Sequence, residues 1–297
     1  MGRMGAEGPS IRRGGGPEVS IRPVRPADRD RVTEITRDVF EGNDYVPRVF
    51  DDWVADASAA FQALEVDGEV VGLHRLRPYG PGLIWYEALR IAPSHRRRGL
   101  ARAMLGSAIA EAREQGFKEM RLATQNEPAA ALFESQGFQR LIDLRWWRAP
   151  RLEGGEPARI PDPASAAKLW PAVMRTAGFE LYRGVSADLG GARDLDEREL
   201  ARLAEIGRLR VVGTAVAGVR PSWSNAVAVT FIAGRGALLR DLLYALRYEA
   251  DADGLERVSI AVPRGHPAAD DLQASGYDFA NAEDTSYIYT LNLNRPR

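Results

Sequence analysis

The sequence predicts an α/β (α+β) protein of two tandem domains, each a mixed, mostly antiparallel sheet flanked by helices. Three observations carry this expectation. Strand-like and helix-like stretches alternate over residues 18–149 in the order β, α, α, three strands, α, β, α, β. PRLEGGEPARIPDPAS at 150–165, rich in proline and glycine, then interrupts the pattern as a linker does. Beyond it the pattern partly recurs, with LERVSIAV laid on FKEMRLAT and ASGYDF following as ESQGFQ does in the first half. We therefore expect a disordered extension over 1–17, a first domain over 18–150, a linker over 151–162, and a second, degenerate copy over 163–297.

EVSIRPV at 18–24 reads as a strand and PADRDRVTEITRDVF at 26–40 as a helix. Pro26 suits a first helical turn, Asp28 and Asp30 complement the dipole, and Val32, Ile35, Val39 and Phe40 share a face. A break at Gly42–Asp44 precedes a second helix, VPRVFDDWVADA at 46–57. FQALEV and EVVGLHRL flank Asp67–Gly68 as a hairpin, YGPG at 79–82 breaks the chain, and LIWYEALRI is the next strand. A helix follows, with Leu100, Met104, Ala108 and Ala112 on one stripe, Leu105 and Ile109 beside it, and Gly116 at its end. MRLAT is a strand, NEPAAALFESQGF a short helix closed by Gly137, and QRLIDLRWWRA a last strand. In the second half SWSNAVAVTFIAG, LERVSIAV and TSYIYTLNL read as strands, and RGALLRDLLYALRYEADADG and HPAADDLQASGYDF as helices.

The 297 residues are 45% hydrophobic and 27% charged, enough for two globular cores. A net charge of −1 provides no overall field toward nucleic acid or an anionic membrane, and we expect neither as a partner. The absence of cysteine removes thiolate nucleophiles and disulfides together. His74, His95 and His266 show no paired ligand spacing, so no metal is expected. No run of about 18 apolar residues occurs and the N-terminus lacks a signal-peptide stretch, which leads us to expect a cytoplasmic protein.

Chemistry concentrates at HRRRGLA, residues 95–101, between a strand and a helix. The helix start offers unpaired N–H groups and a positive dipole end, while Gly99 removes the Cβ that would keep a phosphate away. Arginines alongside add charge-assisted bonds of about 1.5–3 kcal/mol each. Strand, basic glycine turn and helix together make a pyrophosphate cradle. Neither GxxxxGK[ST] nor GxGxxG is present, which sets aside the two commoner phosphate loops.

The stretch resembles the acetyl-CoA signature of the GNAT family of N-acetyltransferases, [QR]-x-x-G-x-[GA], with Arg96, Gly99 and Ala101 in the defining places and Arg97, Arg98 and Leu100 between or beside them. The preceding EALRIAP and the later NEPAAALFESQGF are similar to that family's cofactor strand and Asn-helix-Gly-Phe segment. The resemblance covers about residues 18–149 and implies one acetyl-CoA bound by the first domain. It implies that backbone of Leu89, Arg90 and Ile91 pairs with the pantetheine arm, that Arg96 to Ala101 hold the pyrophosphate, and that Asn126 lies near the thioester. An N-cap role for Asn126 is equally compatible. Phe133 stands where the family often has a tyrosine acid, so the proton for the leaving thiolate must come from Tyr86, Tyr45 or solvent. The resemblance also makes Glu87 the general base, against the alternative of an ion pair with Arg75 or Arg77.

FEGNDYVPRVFDDW at 40–53 is similar to a segment of the vertebrate histidine N-acetyltransferases and their relatives. That likeness makes Asp44 and Tyr45 candidate acceptor contacts, while Phe50 and Trp53 are as well explained by packing. Arg75 and Arg77 alternate along one strand and could present a cation to a carboxylate. An α-amine near pKa 7.7–8 costs about 1–1.4 kcal/mol to neutralise at pH 7, against about 4.6 kcal/mol for a lysine. The expectation is therefore transfer to the primary amine of a small amino-acid-like acceptor. A protein N-terminal or lysine acetyltransferase and a non-catalytic acetyl-CoA sensor are the alternatives, and a homodimeric assembly stays open.

Overall fold

The computed structural model describes residues 18–188, 190–220, 225–279 and 285–294. The extension expected over 1–17 lies outside the described residues. The first half runs β1 (Val19–Pro23), α1 (Arg29–Thr36), α2 (Val46–Ala55), β2 (Ala60–Val66), β3 (Glu69–Gly80), β4 (Leu83–Ile91), α3 (Leu100–Glu114), β5 (Glu119–Thr124), α4 (Glu127–Ser135) and β6 (Gln139–Pro150). Two boundaries differ from expectation. The first helix stops at Thr36, because Phe40, Glu41 and Gly42 take φ of 51, 55 and 86°, which no right-handed helix accommodates. β3 continues through the expected breaker to Gly80, leaving Pro81 and Gly82 for the turn.

The second half contains α5 (Pro163–Ala167), α6 (Trp170–Met174), β7 (Val185–Asp188), β8 (Gly191–Asp194), α7 (Glu197–Glu205), β9 (Leu209–Val212) and β10 (Ala215–Arg220) before the elements that the sequence pattern had marked. Those are β11 (Ala226–Ala233), α8 (Gly236–Ala252), β12 (Arg257–Pro263), α9 (Ala269–Ala274) and β14 (Thr285–Asn292), with the short strand β13 (Asp278–Phe279) added where only a turn was expected. Among the described residues no helix is long and apolar enough to cross a membrane.

The chain divides into two compact units, each made of more than one stretch of sequence. Of the described residues, 18–122, 131–138 and 290–294 form the first unit, and the remainder form the second. β6 belongs to the second because it pairs antiparallel with β12 along its length, from Leu144↔Pro263 to Pro150↔Arg257. The last residues belong to the first because Thr290 Oγ1 donates to Glu119 at 2.5 Å and the Leu293 N–H to the Lys118 carbonyl at 2.9 Å. Strand pairing, not sequence proximity, sets the boundary.

In the first unit the sheet order is β1-β2-β3-β4-β5, antiparallel except for the parallel pair β4–β5 that α3 connects. Met104, Leu105, Ala108, Ile109 and Ala112 are the buried stripe of α3, as the period predicted. Gly72 lets β3, β4 and α3 approach closely, since a Cβ there would meet the Ile91 side chain at 2.8 Å and the Arg90 carbonyl at 2.9 Å. The second unit repeats the arrangement, with order β14-β6-β12-β11-β10-β9 and α8 joining the parallel pair β11–β12. Leu239, Leu242, Leu243 and Leu246 of α8 pack on its sheet.

Candidate active site

β4 is the strand on which the site is built. It pairs with β5 only from Leu83↔Glu119 to Trp85↔Arg121, although it continues to Ile91. Against β3 its register shifts between Leu73↔Arg90 and Arg75↔Glu87, so Ala88 and Leu89 together face the single residue His74. Ala88 takes φ 60°, a left-handed value that marks the bulge. The bulge turns the end of β4 away from β5 and opens a wedge between the two strands. Along that end the Leu89 carbonyl accepts from Arg90 Nη1 at 3.1 Å and the Ile91 carbonyl from Arg96 Nε at 3.1 Å. Arginine side chains thus satisfy carbonyls that no strand partner reaches. Leu89, Arg90 and Ile91 lie beyond the last β4–β5 pair, and an extended ligand could pair there as an added strand does.

The wedge leads to the basic turn. Gly99 precedes α3 with φ 79° and Arg97 has φ 62°, two left-handed residues that fold the chain tightly over the helix start. Arg96, Arg97, Arg98 and Gly99 are exposed, Leu100 and Ala101 half-buried. The first-turn amides of α3 have no carbonyl of their own helix to reach, and three exposed arginines directly precede them in the chain. An open strand edge ending at a helix N-terminus flanked by arginines suits a molecule with an extended amide arm and a pyrophosphate.

On the opposite face of the β3–β4 pair, Glu87 is nearly enclosed. Its Oε1 accepts from Arg75 Nη1 at 2.8 Å and from Arg77 Nε at 3.2 Å. Arg75 is buried, bonds Asp56 through Nη2, and lies 4.5 Å above the Trp53 ring. Arg75, expected to meet an acceptor carboxylate, has both terminal nitrogens on Glu87 and Asp56, while its buried Nε has no partner. Arg77 is the more open of the two, with 26% of its side chain exposed against 5% for Arg75. Both contacts fall on Oε1, which leaves Oε2 as the oxygen able to take a proton from an incoming amine or water.

Asp44 was likewise expected to touch the acceptor. It is buried, with Oδ2 accepting from Arg90 Nε at 2.7 Å and Oδ1 from the Val46 N–H at 3.1 Å. It thereby ties the start of α2 to β4. Tyr45 sits half-buried against Trp53, with ring centroids 5.8 Å apart, and Arg90 lies 5.8 Å from its ring. Burial, then the charge of Glu87, pushes its phenol above the usual range. Asn126 caps α4, its Oδ1 accepting the Ala129 N–H at 2.9 Å. Phe133 is buried edge-on to Tyr86, 6.3 Å away, and beside Phe138.

A buried polar chain behind the bulge was not foreseen. Gln62 Nε2 donates to Glu111 at 3.1 Å, His74 Nε2 lies 2.7 Å from Gln62 Oε1, and His74 Nδ1 is 3.3 Å from the Tyr86 hydroxyl. Because Gln62 spends its amide hydrogens on Glu111, its oxygen accepts from His74 Nε2–H, and Nδ1 is then the acceptor for Tyr86. Burial holds His74 down to about pKa 3, so it stays neutral, and burial raises the carboxyl of Glu111. Burial also raises the Tyr86 phenol, which makes it a poor acid for a thiolate whose thiol titrates near ~8.5. The pairing Gln62↔His74 is the only sequence trace of this chain, and it appears once the hairpin register is known.

Fold and site together define a protein of two copies of one β-α-β frame, the first with an open strand end beside a basic helix start. Residues 29–138 match the family model Acetyltransferase (GNAT) family, and this stretch is a GNAT N-acetyltransferase domain. The match ends at Phe138, where the first unit also leaves the first half of the sequence. N-acetyltransferase family 8 member 3 of Mus musculus is 32% identical over 95 residues, covering 30% of this chain and 42% of that protein. N-alpha-acetyltransferase RimI of Mycobacterium tuberculosis is 27% identical over 152 residues, 47% of this chain and 96% of that one. The chain covers between 35% and 49% of the length of other curated relatives it matches. Among solved structures, a tandem GNAT protein from the clavulanic acid biosynthesis pathway superposes with a TM-score of 0.57 at 17% identity, over 94% of this chain and all of that one (100%). That likeness establishes the tandem fold.

Proposed function

We propose that this protein transfers the acetyl group of acetyl-CoA to the primary amine of a small amino-acid-like acceptor in a cytoplasmic setting. The observation that carries the reading is the open end of β4 leading to the Arg96–Ala101 turn. Acetyl-CoA supplies an activated acetyl thioester. Backbone groups of Leu89 to Ile91 align its amide arm, and the α3 amides with Arg97 and Arg98 hold its phosphates. Glu87, held by Arg75 and Arg77, takes the amine proton at Oε2, directly or through one water. Arg75 keeps that carboxylate oriented, and the Asp44–Arg90 clamp fixes the α2 segment that bounds the acceptor side. No enzyme nucleophile enters, in keeping with a chain that has no cysteine.

The small-acceptor reading rests on the likeness of residues 40–53 and on the low cost of neutralising an α-amine. A protein N-terminus carries the same amine, and the name of the RimI relative favours it as the second reading. Thiol release with acetyl-CoA against amino acids, their amides, polyamines and short peptides separates the two. A free amino acid as best acceptor is the expected result. Reaction with peptides alone would transfer the assignment to protein N-termini.

A further inference from the structure

The second unit contains the same β-α-β frame as the cofactor wedge, and its two ligand positions are taken by its own side chains. β11 pairs with β12 only from Ala226↔Arg257 to Val229↔Ile260 and then runs on to Ala233, as β4 runs on past β5. A register shift against β10, between Gly218↔Phe231 and Val219↔Val229, repeats the bulge at Thr230. On this open side the Ile232 N–H donates to the Tyr182 hydroxyl at 3.0 Å. Tyr182 is buried, edge-on to Phe231 and to His266. The His266 ring in turn lies against Gly178, where a Cβ would come within 2.1 Å of Nε2. Counted from the parallel pairing, Ile232 stands where Leu89 stands in the first unit.

The phosphate position is closed in the same way. The connection from strand to helix, residues 92–99 in the first unit, is reduced to Gly234 and Arg235. The second unit thus has no counterpart of the Arg-rich turn. At the start of α8 the Gly236 N–H donates to Asp271 Oδ2 at 2.9 Å, and Arg240 Nη1 donates to Asp271 Oδ1 at 2.7 Å. A helix N-terminus, an arginine and an anion are all present, and the anion is a carboxylate from α9.

We propose that the second unit is a cofactor-binding frame that has internalised its ligand, with Asp271 in the place of a phosphate group and Tyr182 in the place of an amide-arm partner. The unit is folded around these groups and takes no acetyl-CoA. The comparison rests on the reading of the first unit as the acetyl-CoA site, but the closure can be tested without acetyl-CoA.

The experiment is chemical rescue with inorganic pyrophosphate in a background carrying Arg97→Glu, which disables the first-unit turn. Asp271→Ala in that background should lower the thermal midpoint by about 3–6 °C, and millimolar pyrophosphate should restore part of the loss while leaving the Arg97→Glu parent unmoved. Asp271→Asn, which keeps an oxygen for Gly236 but loses the charge pair, is the milder variant should the alanine form fail to fold, and it should show the same pyrophosphate-dependent gain. An unchanged midpoint, or equal stabilisation of parent and variant, overturns the proposal. Calorimetry on the unaltered chain gives an independent check: two acetyl-CoA sites would also overturn it, whereas no binding at all with intact rescue would sink the first-unit reading alone.

Discussion

Arg75 bonds Glu87 and Asp56 at once, so the carboxylate best placed for proton abstraction is held by a buried guanidinium whose two terminal nitrogens are both engaged while its Nε is left without a partner. Glu87→Gln should preserve this packing yet remove the proton acceptor. The expected outcome is a fall in kcat of about 10²–10⁴-fold with acetyl-CoA affinity nearly unchanged. Steady-state thiol release combined with calorimetry checks it. A variant of full activity would favour the sensor alternative.

The basic turn should matter for binding and little for stability, because Arg97, Arg98 and Gly99 are exposed. Arg97→Glu combined with Gly99→Asp places two carboxylates where phosphates are expected. Loss of the Arg97 contact together with repulsion from two new carboxylates should weaken acetyl-CoA by about 100-fold or more. Calorimetric titration, with the unfolding midpoint as control, measures both quantities.

Asp44 distinguishes a clamp from an acceptor contact. Removing it leaves Arg90, whose side chain is 14% exposed, without the carboxylate that neutralises it, and leaves the Val46 N–H uncapped. Asp44→Ala should cost about 2–4 kcal/mol of stability in a denaturant titration. Unchanged stability with a raised acceptor KM would restore the substrate-contact role.

Acid should destabilise the fold through its buried histidines. Burial lowers His74 to about 3 and His266 to about 4, both below the unfolded value of 6.5. The unfolded chain then holds more protons than the native one, so stability falls as pH drops from about 6.5 toward the folded values. Between pH 7 and 4.5 each group should remove up to about 2.7 kcal/mol, and Asp28 and Asp56, held low by their partners, add to the loss only further down. Urea midpoints across pH for the unaltered chain and for His74→Gln should show the slope reduced in the variant.

Gln62 tests the buried chain behind the bulge. Gln62→Leu leaves His74 Nε2–H and Glu111 without their shared partner, at a cost of about 1–3 kcal/mol. If the chain also positions the bulge, kcat should fall by about 3–10-fold at temperatures where the variant is fully folded, with acceptor KM unchanged. Kinetics and an unfolding curve on the same preparation separate the two effects.

The sequence by itself determined the local elements and the chemistry that is contiguous in the chain. The α3 stripe, the Arg-Gly turn at its start, the α4 cap at Asn126 and the recurrence of the strand-helix-strand frame all lie within short windows, where a helical or strand period and a left-handed glycine leave a direct mark. Tertiary structure decided everything that depends on register. Whether Asp44 and Arg75 meet a substrate or meet Arg90 and Glu87 turns on pairings between distant strands, and a buried charge takes whichever partner those pairings bring within reach. Gln62, His74 and Glu111 are ordinary isolated polar residues until β2, β3 and α3 bring them together, and Tyr182 and Asp271 gain meaning only beside the shortened loop of the second unit. The grouping of β6 with the second unit has the same cause: it satisfies its backbone on β12, and hydrogen-bond pairing outweighs nearness in the chain.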